Sequence, residues 1–157
     1  VEGIELTANA EFSSGVFGRL AYTWLPTAEQ TEAFRNVSTG ETVGSQGKRQ
    51  AYAPENTLTA AVGYEVGAIK GELEAQYVGN QFSDFANTVA PTADGQKGEI
   101  AAYTVWNAAL NYRLDKALSA FVTGKNLLDK TYVVDRTRGI LVGMPRLIQI
   151  GVKYTFN

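Results

Sequence analysis

A strict alternation of apolar and polar residues, repeated seven times over segments of about 9–12 residues, constrains this chain more than any other feature. In residues 4–12, Ile4, Leu6, Ala8, Ala10 and Phe12 alternate with Glu5, Thr7, Asn9 and Glu11. Residues 16–24 place Val16, Gly18, Leu20, Tyr22 and Trp24 on one face, and residues 57–65 do the same with Leu58, Ala60, Val62 and Tyr64. The pattern returns at residues 69–77, 104–113, 118–125 and 148–156. Helices need apolar residues three and four apart, so a period of two predicts strands. Strands this long exceed the mean of about 5–6 residues in soluble sheets and match the roughly 9–11 residues that cross a membrane.

The connections sharpen that reading. Short turns near Ser14, Val66 and Asp115 alternate with long loops at residues 26–50, 79–98 and 129–144. All short turns therefore fall at one end of the sheet and all long loops at the other, the asymmetry of outer-membrane barrels with short periplasmic turns. On the apolar face, Phe12, Tyr64, Tyr112, Tyr154 and Phe156 gather at the short-turn end, and Tyr22, Trp24, Tyr77 and Trp106 toward the other. Two such bands suit the two lipid interfaces. The fold expected is all-β, a transmembrane antiparallel β-barrel. Two other arrangements fit part of the pattern: a small eight-stranded outer-membrane barrel with a strand hidden in residues 26–50, and a soluble β-sandwich binding module.

Composition narrows the chemistry. The chain has 157 residues, a net charge of −2, and neither histidine nor cysteine. Catalytic triads with histidine, thiolate or imidazole metal sites and disulfides are thereby excluded, and the charge balance argues against a nucleic-acid partner. Glu72 and Glu74 share a strand face that repeats the wall pattern, so they do not read as a glycosidase pair. Gly40, Gly44 and Gly47 lie in a long loop with no helix following, so they form no phosphate cradle. No enzyme is expected. The chain opens without a basic or apolar leader, so any export signal has been removed or the chain is the tail of something longer.

Two motifs carry a family resemblance. The last segment, Gln149-Ile-Gly151-Val-Lys-Tyr154-Thr-Phe156, resembles the C-terminal signal read by the barrel-assembly machinery, with Asn157 added after the usual terminal aromatic. Upstream, Lys125-Asn126-Leu127-Leu128-Asp129-Lys130-Thr131-Tyr132 followed by Gly143-Met144-Pro145-Arg146 resembles the C-terminal box of TonB-dependent receptors. The runs Gln81-Phe82-Ser83-Asp84-Phe85-Ala86-Asn87-Thr88-Val89 and Gly139-Ile140-Leu141-Val142 are similar to loops of the ferric dicitrate receptors.

That resemblance implies a bacterial outer-membrane receptor that takes up a ferric chelate with energy from the TonB complex, its strands facing outer-membrane lipid. It implies no cofactor, iron being carried as ligand, and no resident metal. Such receptors are barrels of about 22 strands with a plugged lumen. Residues 1–157 are accordingly expected to be the C-terminal part of such a barrel, with the plug domain absent. Ligand contacts belong to the loops, where guanidinium and amide donors suit an anionic chelate. Arg136 and Arg138 are the first candidates, in the one long loop with a positive balance, which also carries Lys130; Arg146 lies just beyond it. Asn87, Gln81 and Gln96 follow in the second loop. Arg136 stands near a position where the ferric dicitrate receptors have an amide.

Overall fold

The structure, a computed structural model, describes residues 1–43 and 46–156. In chain order the strands are β1 (Glu2–Glu11), β2 (Val16–Thr27), β3 (Phe34–Arg35), β4 (Thr42–Val43), β5 (Asn56–Val66), β6 (Ile69–Val78) and β7 (Gln81–Phe82). They continue with β8 (Glu99–Ile100), β9 (Tyr103–Arg113), β10 (Leu118–Lys125), β11 (Val133–Asp135), β12 (Leu141–Val142) and β13 (Leu147–Tyr154). No helix occurs among the described residues.

Seven long strands form one antiparallel sheet in the order β1-β2-β5-β6-β9-β10-β13, each paired with its neighbours in sequence. These are the seven segments the alternation predicts. The first and last stop short of the expected ends: β1 at Glu11 rather than Phe12, and the last ladder at Tyr154 rather than Phe156. Register keeps like with like. Ala10, Gly18, Val62, Leu73, Ala108, Gly124 and Ile148 lie in one row across the sheet, and Asn9, Arg19, Ala61, Glu74 and Asn107 in another on the opposite face. Within this sheet, the one register shift among the described residues falls between Glu2 and Ile4. It sits beside Pro26, which has no N–H to give a ladder.

The sheet is a wall and not the half of a sandwich. Among the described residues only Ala28, Ala61, Ile100 and Val105 are buried hydrophobics, whereas Leu6, Val62, Leu73, Leu110, Ile150 and Val152 are all exposed. The surface of 10584 Å² compares with about 7,700 Å² for a compact globule of 17.0 kDa. Water would not tolerate this apolar face, and lipid does. Nor is the sheet closed: β1 and β13 end the ladder, and residues 28–43 contribute only the two-residue pair β3–β4, off the wall, so no eighth wall strand appears among the described residues.

The opposite face carries polar side chains and is packed by rings laid over glycines. Phe17 lies over its ladder partner Gly63, where an added Cβ would stand 2.1 Å from the ring. Phe121 covers Gly151 in the same way, at 2.4 Å.

Candidate functional site

On the polar face, Arg19 and Glu72 pair at 2.5 Å, and Lys70 joins Glu65 at 3.0 Å with its ammonium 4.7 Å above the Phe17 ring. Toward the long loops, Glu74 accepts from Gln76 and from the Asn107 amide, each at 2.9 Å. These groups thus satisfy one another. A groove of about 490 Å³ runs beside Arg19, Lys70 and Glu72 at the short-turn end, away from the loops.

Asn107 also starts the path into the third loop. Its side-chain Oδ1 accepts the N–H of Asn126 at 3.1 Å. Asn126, only 2% exposed and left-handed at φ 48°, donates its amide to the carbonyls of Lys130 and Met144, both at 2.9 Å, and accepts the Lys130 N–H. Asp129 takes the Arg146 N–H at 2.9 Å. One side chain therefore draws both ends of the loop together, which is what the Asn126 and Asp129 positions of the motif do physically.

The three long loops, residues 28–55, 79–102 and 126–146, are knotted into one cluster. Gln30 donates to the Phe85 carbonyl at 2.7 Å and Lys48 to that of Ala86 at 2.6 Å. Asn87 accepts the Arg49 N–H at 2.7 Å and returns its own amide to the Arg49 carbonyl at 2.8 Å. The Arg49 guanidinium binds the carbonyls of Leu25, Pro26 and Ala53, which pins the first loop to the end of β2. Tyr52 reaches the third loop: its hydroxyl donates to Asp135 at 2.5 Å and accepts the Arg136 N–H at 3.1 Å.

The sequence candidates take different places in this cluster. Arg136 is buried, 7% exposed; one guanidinium nitrogen donates to the Gly95 carbonyl of the second loop at 3.2 Å, and its Nε has no partner. Among the described residues no carboxylate pairs with it. Arg138 is exposed, lifted by a turn in which Gly139, at φ 107°, donates its N–H to the Arg136 carbonyl at 3.2 Å. Asn87, left-handed at φ 55°, spends its amide on Arg49 and is a staple between loops. Gln81 is buried in the β7–β8 pair opposite Ile100. Gln96, Lys130 and Arg146 are exposed. Arg136 and Arg138 thus come together in one turn, while Asn87 and Gln81 hold the second loop. In the terminal signal, Gln149 and Gly151 lie in the rows of Thr123 and Phe121, and the rings of Tyr154 and Phe156 meet edge to face at 4.8 Å.

A seven-stranded wall, apolar on one face and polar on the other, with long interlocked loops at one end only, defines a segment of an outer-membrane β-barrel. The sequence pattern of the family described as TonB dependent receptor-like, beta-barrel, matches residues 1–127, and the chain belongs to that family. Its members are transporters of the bacterial outer membrane and not enzymes, and they need no cofactor because iron arrives within the chelate.

Solved structures agree. The ferric citrate transporter FecA in its unliganded form is similar at 28% identity and TM-score 0.70, with 88% of this chain and 21% of that chain covered. The siderophore receptor PiuA from Acinetobacter baumannii superposes at TM-score 0.80 with 20% identity, over 97% of this chain and 21% of that one. The ferric yersiniabactin uptake receptor FyuA from Yersinia pestis gives TM-score 0.76 at 18% identity, over 99% and 23%. At these last two identities the likeness is one of fold. The chain spans 21% of the length of FecA and of PiuA.

Proposed function

We propose that this chain is the C-terminal part of a TonB-dependent receptor, seven strands of a barrel of about 22, and that the complete protein takes up an anionic ferric chelate of the ferric citrate kind. TonB would act through parts of the receptor outside this chain, and the barrel-assembly machinery would read Gln149, Gly151, Tyr154 and Phe156. The observation that carries the ligand reading is the turn at residues 136–139. It offers Arg138 to solvent and holds the Arg136 guanidinium unneutralised, with an unpartnered Nε, among three loops at one end of the wall. A buried cation without a counter-charge is costly, and an incoming carboxylate relieves that cost. Guanidinium forks also match carboxylates in geometry.

Arg138 gives the cleaner test because it supports no neighbour among the described residues. In the full receptor, Arg138→Ala is expected to weaken ferric citrate binding about tenfold, the scale of one hydrogen bond to a charged group. Fluorescence titration of the purified protein measures it. Wild-type affinity in both Arg138→Ala and Arg136→Ala rejects the reading.

A further inference from the structure

Tyr52 attracts no notice in the sequence, yet every loop of the cluster meets at it. Its backbone is left-handed at φ 56°, a conformation that persists in a bulky residue only where the surroundings fix it. Its N–H donates to the Phe82 carbonyl of the second loop at 2.8 Å. Its hydroxyl donates to Asp135 at 2.5 Å, accepts the Arg136 N–H at 3.1 Å, and lies 3.3 Å from the Thr137 hydroxyl. The Thr137 hydroxyl and N–H donate to the same Asp135 oxygen at 2.6 and 3.0 Å. Three residues away, Arg49 fastens this stretch to the end of β2.

We propose that Tyr52 is the positioning residue that fixes the turn at residues 136–139 against the first and second loops, and that it thereby sets the affinity of the cluster for an anionic chelate. The second half of this statement rests on the ligand reading above. Tyr52 touches the backbone and the neighbours of Arg136 and not its guanidinium, so it acts through the arginines and is not itself a ligand group. Without the hydroxyl, the Arg136 N–H loses its acceptor and the Asp135 carboxylate loses one of its donors. The wall and the tie to Phe82, a backbone bond, stay as they are.

The test uses the full-length receptor in detergent, with Tyr52→Phe and, from the other side of the same hydrogen bond, Asp135→Asn. Hydrogen exchange of residues 133–139 is expected to rise about tenfold in both variants, the size of one charge-assisted hydrogen bond, with exchange of β9 unchanged as evidence of an intact wall. Ferric citrate binding is expected to weaken by a similar factor. In cells, the chelate concentration for half-maximal uptake should rise while the maximal rate stays the same, a split that general loss of folded receptor would not produce. Unchanged exchange at 133–139 overturns the proposal, and so does faster exchange with wild-type affinity. If the wild-type receptor ignores ferric citrate, the ligand reading fails instead, and the exchange comparison alone decides what Tyr52 holds.

Discussion

The Asp135 carboxylate is the most strongly perturbed acid of the loops. The Thr137 hydroxyl, the Tyr52 hydroxyl and the Thr137 N–H, in that order, lower its pKa from 3.8 to about 2. A depressed carboxylate contributes to the folded state above its ordinary value, and the contribution disappears as pH falls through the lowered one. The tie to Tyr52 is therefore expected to be complete above 3.8 and to be lost from there down through about 2. Pepsin, active in that range, should cut within residues 133–142 progressively more as pH falls, relative to its other sites in the receptor. Asp135→Asn should remove this pH dependence, and a constant cleavage ratio in the wild type would count against the tie. Nothing in the local sequence announces it, because Tyr52 and Asp135 are 83 positions apart and only the stacking of loops on a common wall brings them together.

Elements were far more legible than loops, for a physical reason. Each wall strand has lipid on one side and the lumen on the other, so burial environment alternates residue by residue and writes itself into the sequence. The loops obey no such period. Arg136 and Arg138 read alike in the sequence, as guanidinium donors of one loop, yet Arg136 is 7% exposed in the fold and Arg138, two positions on, remains exposed. Asn126 is intermediate: the motif marks it, and only the three hydrogen bonds of its side chain explain why an amide that tolerates a left-handed backbone is needed there. Gly151 likewise belongs to the terminal signal, and the strand pair β10–β13 gives it a mechanical reason, since the Phe121 ring occupies the space of a Cβ. Gly151→Ala is expected to destabilise the receptor by about 1–3 kcal/mol through overpacking. Urea midpoints of the refolded receptor in lipid vesicles measure this, and Phe121→Leu in the same background should recover part of the loss. An equal loss in the double variant would mean that the ring is not what Gly151 accommodates.

At the scale of the whole molecule, four buried hydrophobic residues, of which only Ala61 and Val105 belong to the wall, make no core among the described residues, and the bilayer supplies the apolar environment that a core would. Outward positions should then respond to depth. Leu73 stands at the middle of β6 on the apolar face and is 42% exposed. Leu73→Arg is expected to cost about 2–4 kcal/mol, as a cation at the bilayer midplane does. Arginine at Val66, at the short-turn end of the neighbouring strand, should cost about 0–1 kcal/mol, as a cation near the interface does. Equal costs at the two depths would contradict the orientation of the wall.

The order β1-β2-β5-β6-β9-β10-β13 also governs how such a wall comes into being. Every wall strand finds its partner in the next wall strand along the chain, so hairpins can close locally and join edge to edge without threading. The loop knot cannot form that way. Tyr52 belongs to the connection between β2 and β5, and Asp135 to the one between β10 and β13, so their meeting waits until the intervening wall is laid down. The loop end of the wall is the last part to acquire its shape, and a receptor halted partway through assembly would hold its strands in register and still lack the arginine turn in place.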